Sequence, residues 1–557
     1  MKLTHRYADV LACCVMVFVL VPSMCAQEQA APSHIGVPQD WSQRHIVFSR
    51  DALAQHPDVI YREPRVLHQV MQRWQAPNSD VFRGARPQAA SANTGERDWN
   101  VNLQKGRLNA NIFPAKFSFD PGAPPICVPA PGVIPDYVVF GLDVAGASGG
   151  QANLVAFDNL YSGTGGLCGA APTVLFAYNV TTVTGGKIVT SPILSEDGTK
   201  VAFVESVVGP PASAIFHVLT WTAGQGAIST AATPASMTSM TYSAAAYNSS
   251  SSPWIDYGAD TVYVGADNGM VYQITGVFRG TPTLSGSPWP VTVSSKFHLT
   301  PPVLDSTLGL LMVGSANGNL YQINTTTGVL GGPLVVGKKG GLSSGIIAAP
   351  IVDVTNGTTF VVDANDGTSA VLVQADTASL TQLSKVRIGL GAATPAVGAA
   401  TAVALYEPAF TNQYFNNPAG GDVRLCGTGA ADTTPWQYSF GFTGRTMNTT
   451  VSDKGQLLTS TAARCTGWTE FFNPNQGNTD YFFFGLTQDC TAAGTAGGCV
   501  VALTGAGPTL ALTFATVNGG PSGIVVDNFS TAGQASSIYL TATKKNTAYK
   551  FTQNGLN

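Results

Sequence analysis

The sequence predicts an all-β fold, an eight-bladed β-propeller over residues 110–557 with seven blades as the alternative count, preceded by a short helical and linker segment. Three observations carry this: a paired hairpin repeat, a recurring proline-led strand start, and a composition poor in charge. Only 11% of the 557 residues are charged, against roughly 25% in ordinary soluble proteins. Gly and Pro together make up about 17%, somewhat above the ~12% average. The net charge of −4 leaves no basic stripe for phosphates, which excludes nucleic acid as a partner. Disorder needs low hydrophobicity and high net charge, and neither is present.

In chain order, Lys2, His5 and Arg6 precede the apolar run Val10–Val21, and Pro22, Ser23 and Cys25-Ala26 follow. This is the order of a secretory signal peptide over residues 1–26. The apolar run is too short to span a bilayer as a helix, and no other stretch of the mature chain is long and apolar enough. The expected location is exported: periplasm, cell surface or medium. The mature chain would keep Cys127, Cys168, Cys426, Cys465, Cys490 and Cys499. An even number in an exported chain predicts disulfides, and neighbours in sequence are the favoured pairs: Cys127–Cys168, Cys426–Cys465 and Cys490–Cys499. No C-x-x-C occurs, so a Cys/His zinc site is not expected.

Residues 27–109 read as an N-terminal segment. Eight charged residues lie between Trp41 and Gln75. Val66, Val70, Met71 and Trp74 follow Pro64 at helical spacing. Ala76–Arg97 has linker composition. The segment reads as a stalk or cap on the main domain, with a docking helix for a partner as the alternative.

The hairpin repeat decides the architecture. Val262–Thr275 and Leu311–Asn324 align without gaps at an offset of 49, with seven of fourteen positions identical. Each reads as strand, Asn-Gly turn, strand, and Asn268-Gly269 and Asn317-Gly318 suit a type I′ hairpin. Upstream recurs a small residue, a proline and two apolar residues: Ser191-Pro192-Ile193-Leu194, Ser252-Pro253-Trp254-Ile255-Asp256, Pro301-Pro302-Val303-Leu304-Asp305, Ala349-Pro350-Ile351-Val352-Asp353 and Thr394-Pro395-Ala396-Val397. Proline at a strand's first position costs no ladder bond. The strand after the hairpin recurs eight times: Asn153–Phe157, Ile215–Thr220, Met270–Thr275, Asn319–Asn324, Ala370–Ala375, Asp422–Cys426, Cys499–Leu503 and Thr547–Phe551, at spacings of about 48 to 77 residues. Such periods built from four strands mean propeller blades. Lys116–Phe119 reads as an outer strand that pairs with Thr547–Phe551 to close the ring, with the first inner strands at Pro135–Leu142.

These motifs resemble the pyrroloquinoline-quinone-type repeat over about Ile193–Asp353. That repeat builds quinoprotein-dehydrogenase-like propellers, shared by quinone enzymes and by non-enzymatic scaffolds. The enzymes of that group need calcium beside the quinone, a carboxylate base, a tryptophan floor and often a disulfide between adjacent cysteines. The mature chain has no adjacent cysteines, and Trp221, Trp254, Trp289, Trp436 and Trp468 are scattered. No catalytic, cofactor-binding or metal residue carries over, and no cofactor is expected.

Other motifs are weak. Gly146-Ala-Ser-Gly-Gly150 and Gly341-Leu-Ser-Ser-Gly345 match a serine-hydrolase elbow, but the background is Gly- and Ser-rich, and only His217 and His298 lie in the propeller. Asp363-Ala-Asn-Asp-Gly367 reads as a hairpin turn, with a weak surface calcium site as the alternative. Asp256, Asp305, Asp353 and Asp527 stand at strand starts, where they either cap turns or ring the axial channel. A late aromatic cluster (Tyr414, Phe415, Trp468, Phe471, Phe472, Tyr481–Phe484) reads as blade core, or as a surface that stacks on sugars or a protein. The functional expectation is an exported, non-catalytic propeller that binds or scaffolds a protein partner. The alternatives are a periplasmic quinone-dependent oxidoreductase and a surface carbohydrate binder. Oligomeric state is not legible.

Overall fold

Alternating small turns and uncharged strands fold into eight sheets arranged as a ring, an eight-bladed β-propeller with very few helices. The computed structural model describes residues 37–48, 63–74, 96–118, 125–163, 166–295, 297–338, 345–389, 404–427, 432, 434–457, 463–473, 478–488, 490, 497–505, 512–527 and 537–552. The signal-peptide reading, Gly341-Leu-Ser-Ser and Thr394-Pro395 lie outside them.

Blades are numbered here in the order of their innermost strands. These are Ala115–Ser118, Ile193–Leu194, Trp254–Asp256, Val303–Asp305, Ile351–Asp353, Ala409–Phe410, Thr469–Asn473 and Val525–Asp527. Four of the proline-led motifs begin innermost strands as expected, in blades 2 to 5. Middle strands such as Leu154–Asp158, Thr358–Asp363 and Gly498–Leu503 are buried along their whole length. Both faces of each sheet therefore pack on neighbouring blades, which leaves little room for charge.

The hairpin repeat is observed in register, with Val262 opposite Ile274 and Leu311 opposite Ile323. Its turn differs from the expected type I′. Only Gly269 (φ 79°) and Gly318 (φ 84°) take positive φ; the asparagines do not. Asn268 and Asn317 instead use their side-chain oxygens to accept the amides of Met270 and Asn319. A Cβ on Gly269 would stand 2.0 Å from the Ser294 carbonyl oxygen, so that position admits only glycine.

Seven of the eight predicted strands are third strands of blades. Asp422–Gly427 is the second strand of blade 6, because a helical insertion at Asn412–Asn416 and Pro418–Gly420 follows the innermost strand and displaces the count.

Ring closure also differs from expectation. Thr547–Thr552 pairs with Glu96–Asn102, residues read from sequence as linker and N-terminal segment. Ala115–Ser118, expected as the closing outer strand, is the innermost strand of blade 1, and Tyr137–Gly141 is its second. The reason is burial: all four residues of Ala115–Ser118 are buried, whereas Arg97 and Asn100 of Glu96–Asn102 face solvent as an outermost strand requires. Lys116 joins blade 1 to blade 8 through Asp527 at 2.8 Å, and both side chains are fully buried. Replacing the register partners Val101 and Ala548 together by cysteine is expected to form a fourth disulfide, seen as two mass units lost without reductant. Free thiols in the folded variant would refute this closure.

The three disulfides are the sequence-neighbour pairs Cys127–Cys168, Cys426–Cys465 and Cys490–Cys499. Alkylation of the denatured, unreduced protein is accordingly expected to label none of these six cysteines, with six labels appearing after reduction.

Candidate functional site: the axial channel and its N-terminal plug

The site begins with residues 37–48 and 63–74 of the charged N-terminal segment, which pack against the innermost strands of the ring. Val37–Gln39 adds to the axial side of blade 1, antiparallel to Lys116–Ser118. Ile46–Val47 adds to the axial side of blade 5, parallel to Val352–Asp353. Between them, Trp41–Arg44 forms a one-turn 3-10 helix whose N-cap is Asp40, accepting from the Ser42 amide and hydroxyl. The segment therefore runs up the channel, turns, and comes back. Helix α1 (Pro64–Trp74) follows, about 16 Å long at 1.5 Å per residue. Gln69 of α1 accepts from the Phe48 amide and donates to the Ile46 carbonyl, which locks helix to strand.

Three arginines of this plug reach three sides of the channel. Arg65 donates to the Ile255 carbonyl and Ser42 Oγ, and its guanidinium lies 3.9 Å over Trp254 of blade 3. Arg44 pairs with Glu407 before blade 6 at 3.3 Å and lies 3.6 Å over Phe113. Arg73 pairs with Glu470 of blade 7, donates to Asn412 Oδ1, and stacks at 3.3 Å over Phe415 of blade 6. Trp41 Nε1 donates to the Pro253 carbonyl, and its ring meets Trp254 edge-on at 5.7 Å.

Burial sets the protonation here. It lowers Arg44 to about 10 against the opposing pull of Glu407, and lowers His45 well below its ordinary value with Arg44 adding to the effect. It pushes Glu63 up to about 7 despite Arg65, and Glu470 up to about 8 despite Arg73.

Two cavities adjoin the plug. One, about 220 Å³, opens where the innermost strands begin; Trp41 and His45 line it together with Ser191, Ser252, Pro301 and Ala349 from four successive blades. The other, about 70 Å³, lies against Arg44, Gln69, Arg73, Phe415 and Glu470.

Of the four aspartates expected either to cap turns or to ring the channel, three cap turns and Asp527 is buried between blades. Asp256 accepts from the Ala259 amide, and Asp305 from those of Thr307 and Leu308. Asp353 takes the amides of Thr355 and Asn356 and the Tyr414 hydroxyl. Asp527 takes two tyrosine hydroxyls, from Tyr161 and Tyr539. Asp363-Ala-Asn-Asp-Gly367 is likewise a turn held by its own carboxylates. Among the described residues no group of three His, Cys, Asp or Glu could hold a metal. Ser148 of the first elbow-like motif bonds Thr233 and Asn179 in a loop. The late aromatics are core: Trp468 is 1% exposed and stacks on Phe484 at 4.3 Å. They cannot form the sugar-stacking surface held open as an alternative.

The carboxylates that reach the plug, Glu407 and Glu470, were not singled out from sequence. A signal was present. Glu407-Pro408-Ala409-Phe410 is the blade 6 version of the proline-led motif, with glutamate in the small residue's place.

No protein-family model matches the chain, and no curated protein matches it. Several solved structures are similar to it at low identity. BamB from Moraxella catarrhalis is 11% identical over 82% of this chain and 97% of its own, with a TM-score of 0.41. Saccharomyces cerevisiae Sqt1 is 10% identical over 82% and 99%, at 0.48. The propeller of Dos1 is 10% identical over 82% and 94%, at 0.46. These values are too low to bring a partner or an activity to this chain.

A quinone does not fit the residues present. The axial space holds Trp41, Arg44 and His45, and Trp254 of blade 3 is covered by Trp41 and Arg65.

Proposed function

We propose that the chain is an exported, non-catalytic β-propeller that binds or scaffolds a protein partner. The signal would occupy residues 1–26, the plug and linker 27–109, and the ring 110–557 together with the strand Glu96–Asn102. The observation that supports this best is the plug. The chain's own N-terminal residues occupy much of the axial channel, so recognition falls to rims and loops, as in rigid folds that present variable loops. Three disulfides suit an oxidising compartment. No helix among the described residues is long and apolar enough to cross a membrane. Val128, Val133 and Leu167 are 52%, 38% and 54% exposed around the Cys127–Cys168 bridge, a rigid apolar tip of the kind partners cover.

Native mass spectrometry of the protein from its own host's exported fraction tests the reading. A co-purifying protein in fixed ratio is expected. An added mass of a small quinone with calcium would overturn it, and a chain retaining residues 1–26 in the cytosol would overturn the export.

A further inference from the structure

A second polar cluster lies outside the channel, on blade 2. Its strands Lys200–Val207, Ser213–Thr220 and Met237–Ser243 are consecutive neighbours, and the last is the outermost. Ser239 on the outermost strand stands directly opposite His217 on the next. Ser239 Oγ is 2.8 Å from His217 Nδ1, and His217 Nε2 is 3.0 Å from Glu205 Oε2. The His217 and Glu205 side chains are fully buried, whereas Ser239 is exposed.

The direction of these bonds follows from chemistry. An ionised Glu205 can only accept, so in the neutral imidazole Nε2 carries the proton, Nδ1 holds a lone pair, and the Ser239 hydroxyl donates to it. Glu205 is fixed by further donors: the amides of Thr182 and Val183 and the Thr182 hydroxyl. Burial alone would raise its carboxyl, but these bonds and His217 outweigh it and hold it below the ordinary value. A Cβ on Gly186 would fall 1.8 Å from Glu205 Oε1, so the carboxylate's seat admits only glycine there. The Phe203 ring stacks on the imidazole at 5.1 Å and fixes its plane.

We propose that Ser239 is an activated nucleophile that accepts acyl groups from carboxylic esters, with His217 as its base and Glu205 as the residue that orients the base. The serine–imidazole–carboxylate order is that of an acyl-transfer relay, with the two ring nitrogens exchanging places. In the step, Ser239 Oγ bonds to the acyl carbon and its proton passes to Nδ1. The ester C–O bond breaks, the alkoxide leaves with that proton, and an acyl-serine remains. Among the described residues no strand pairs with the far side of Met237–Ser243, so alternate backbone amides on that edge are open to a developing oxyanion. Ser239 lines neither axial cavity and is exposed, so an acyl donor reaches it from solvent. The inference does not rest on the scaffold reading, since a binding module can carry an acylable serine.

The test treats the folded, disulfide-intact protein with a small fluorophosphonate and with p-nitrophenyl acetate, then maps adducts by peptide mass spectrometry. An adduct on Ser239 is expected, absent from Ser148 and lost on unfolding in urea. In His217→Gln its rate should fall at least about tenfold, and in Glu205→Gln it should fall while the fold is kept. A network with a purely structural role would change stability in these variants and give no adduct. No adduct on Ser239 in the folded wild type, or an equal rate in a folded His217→Gln, overturns the proposal. Should His217→Gln fail to fold, the wild-type comparison of folded against unfolded protein still decides.

Discussion

Replacing Trp41 by alanine is expected to destabilise the folded chain by about 3–5 kcal/mol, the range for a fully buried tryptophan. Trp41 is 2% exposed and sits at the turn of the plug. Its indole donates to the Pro253 carbonyl, its ring packs on Trp254 and His45, and it belongs to the cluster that also holds Ile46, Phe48 and Val66. Alanine would leave a void on the axis and an unpaired carbonyl, and the neighbouring blades cannot collapse into it because each is held by its own ring neighbours. The urea midpoint should fall with an unchanged denaturant slope. A loss below about 1 kcal/mol would mean that the segment is not seated in the channel, and would remove the chief support for the proposed function. Arg65→Lys is the companion variant. It keeps the charge but not the planar fork that reaches Ser42, Glu63 and the Ile255 carbonyl at once, so its loss should be smaller than that of Trp41→Ala but measurable.

Much of the ring was legible because its signals are local. The Asn-Gly turns, the proline-led strand starts and the third strands need only a few residues to be recognised, and seven of the eight predicted strands occupy their predicted place in a blade. Closure was not legible, because which strand completes blade 8 depends on contacts between residues more than four hundred positions apart, such as Val101 with Ala548. The plug was half legible. Its helix follows from apolar spacing after Pro64, and Pro64–Trp74 is observed. Its destination was not, because a short charged segment ahead of a linker reads as a stalk or cap on the main domain. Arg44 and Arg73 are instead held by aromatic faces and by carboxylates from blades 6 and 7, and Arg65 by Trp254, the Ile255 carbonyl and its neighbour Glu63. The chain has only seven glutamates, and three of them, Glu205, Glu407 and Glu470, are buried partners of a cation or an imidazole. In a chain this poor in charge, a glutamate within a strand motif marks a partner more readily than a solvated face.

That pairing makes stability depend on pH in a definite direction. Glu470 faces Arg73, and Asp480 lies beside both and accepts from the Asn412 amide, with Arg424 on its far side. One guanidinium cannot balance two ionised carboxylates in so buried a place, so the pair retains a proton, and burial pushes Glu470 up to about 8. A carboxyl whose folded pKa lies above its unfolded value stabilises the fold fully at low pH and loses that contribution as pH rises through the folded value. Glu63, pushed up to about 7, acts in the same sense. His45 and His68 act in the opposite sense, since burial lowers them and their contribution is lost only as pH falls below the ordinary imidazole range. Between about pH 6.5 and 8 only the carboxyl effect operates among these groups. The free energy of unfolding is therefore expected to fall by about 2 kcal/mol over that window for Glu470 alone. Glu470→Gln keeps the shape and the neutral charge of the protonated acid. It should flatten the slope, match the wild type below about pH 4.5, where the glutamate is protonated in both states, and exceed it at pH 6.5, whereas Arg73→Ala should extend the fall to higher pH by removing the cation that opposes proton retention on Glu470. Urea titrations at half-unit pH steps measure all three. A wild-type stability that is level or rising from pH 6.5 to 8, or a Glu470→Gln slope equal to that of the wild type, would show that Glu470 is ionised against Arg73 and that Asp480 alone carries the proton or none is held.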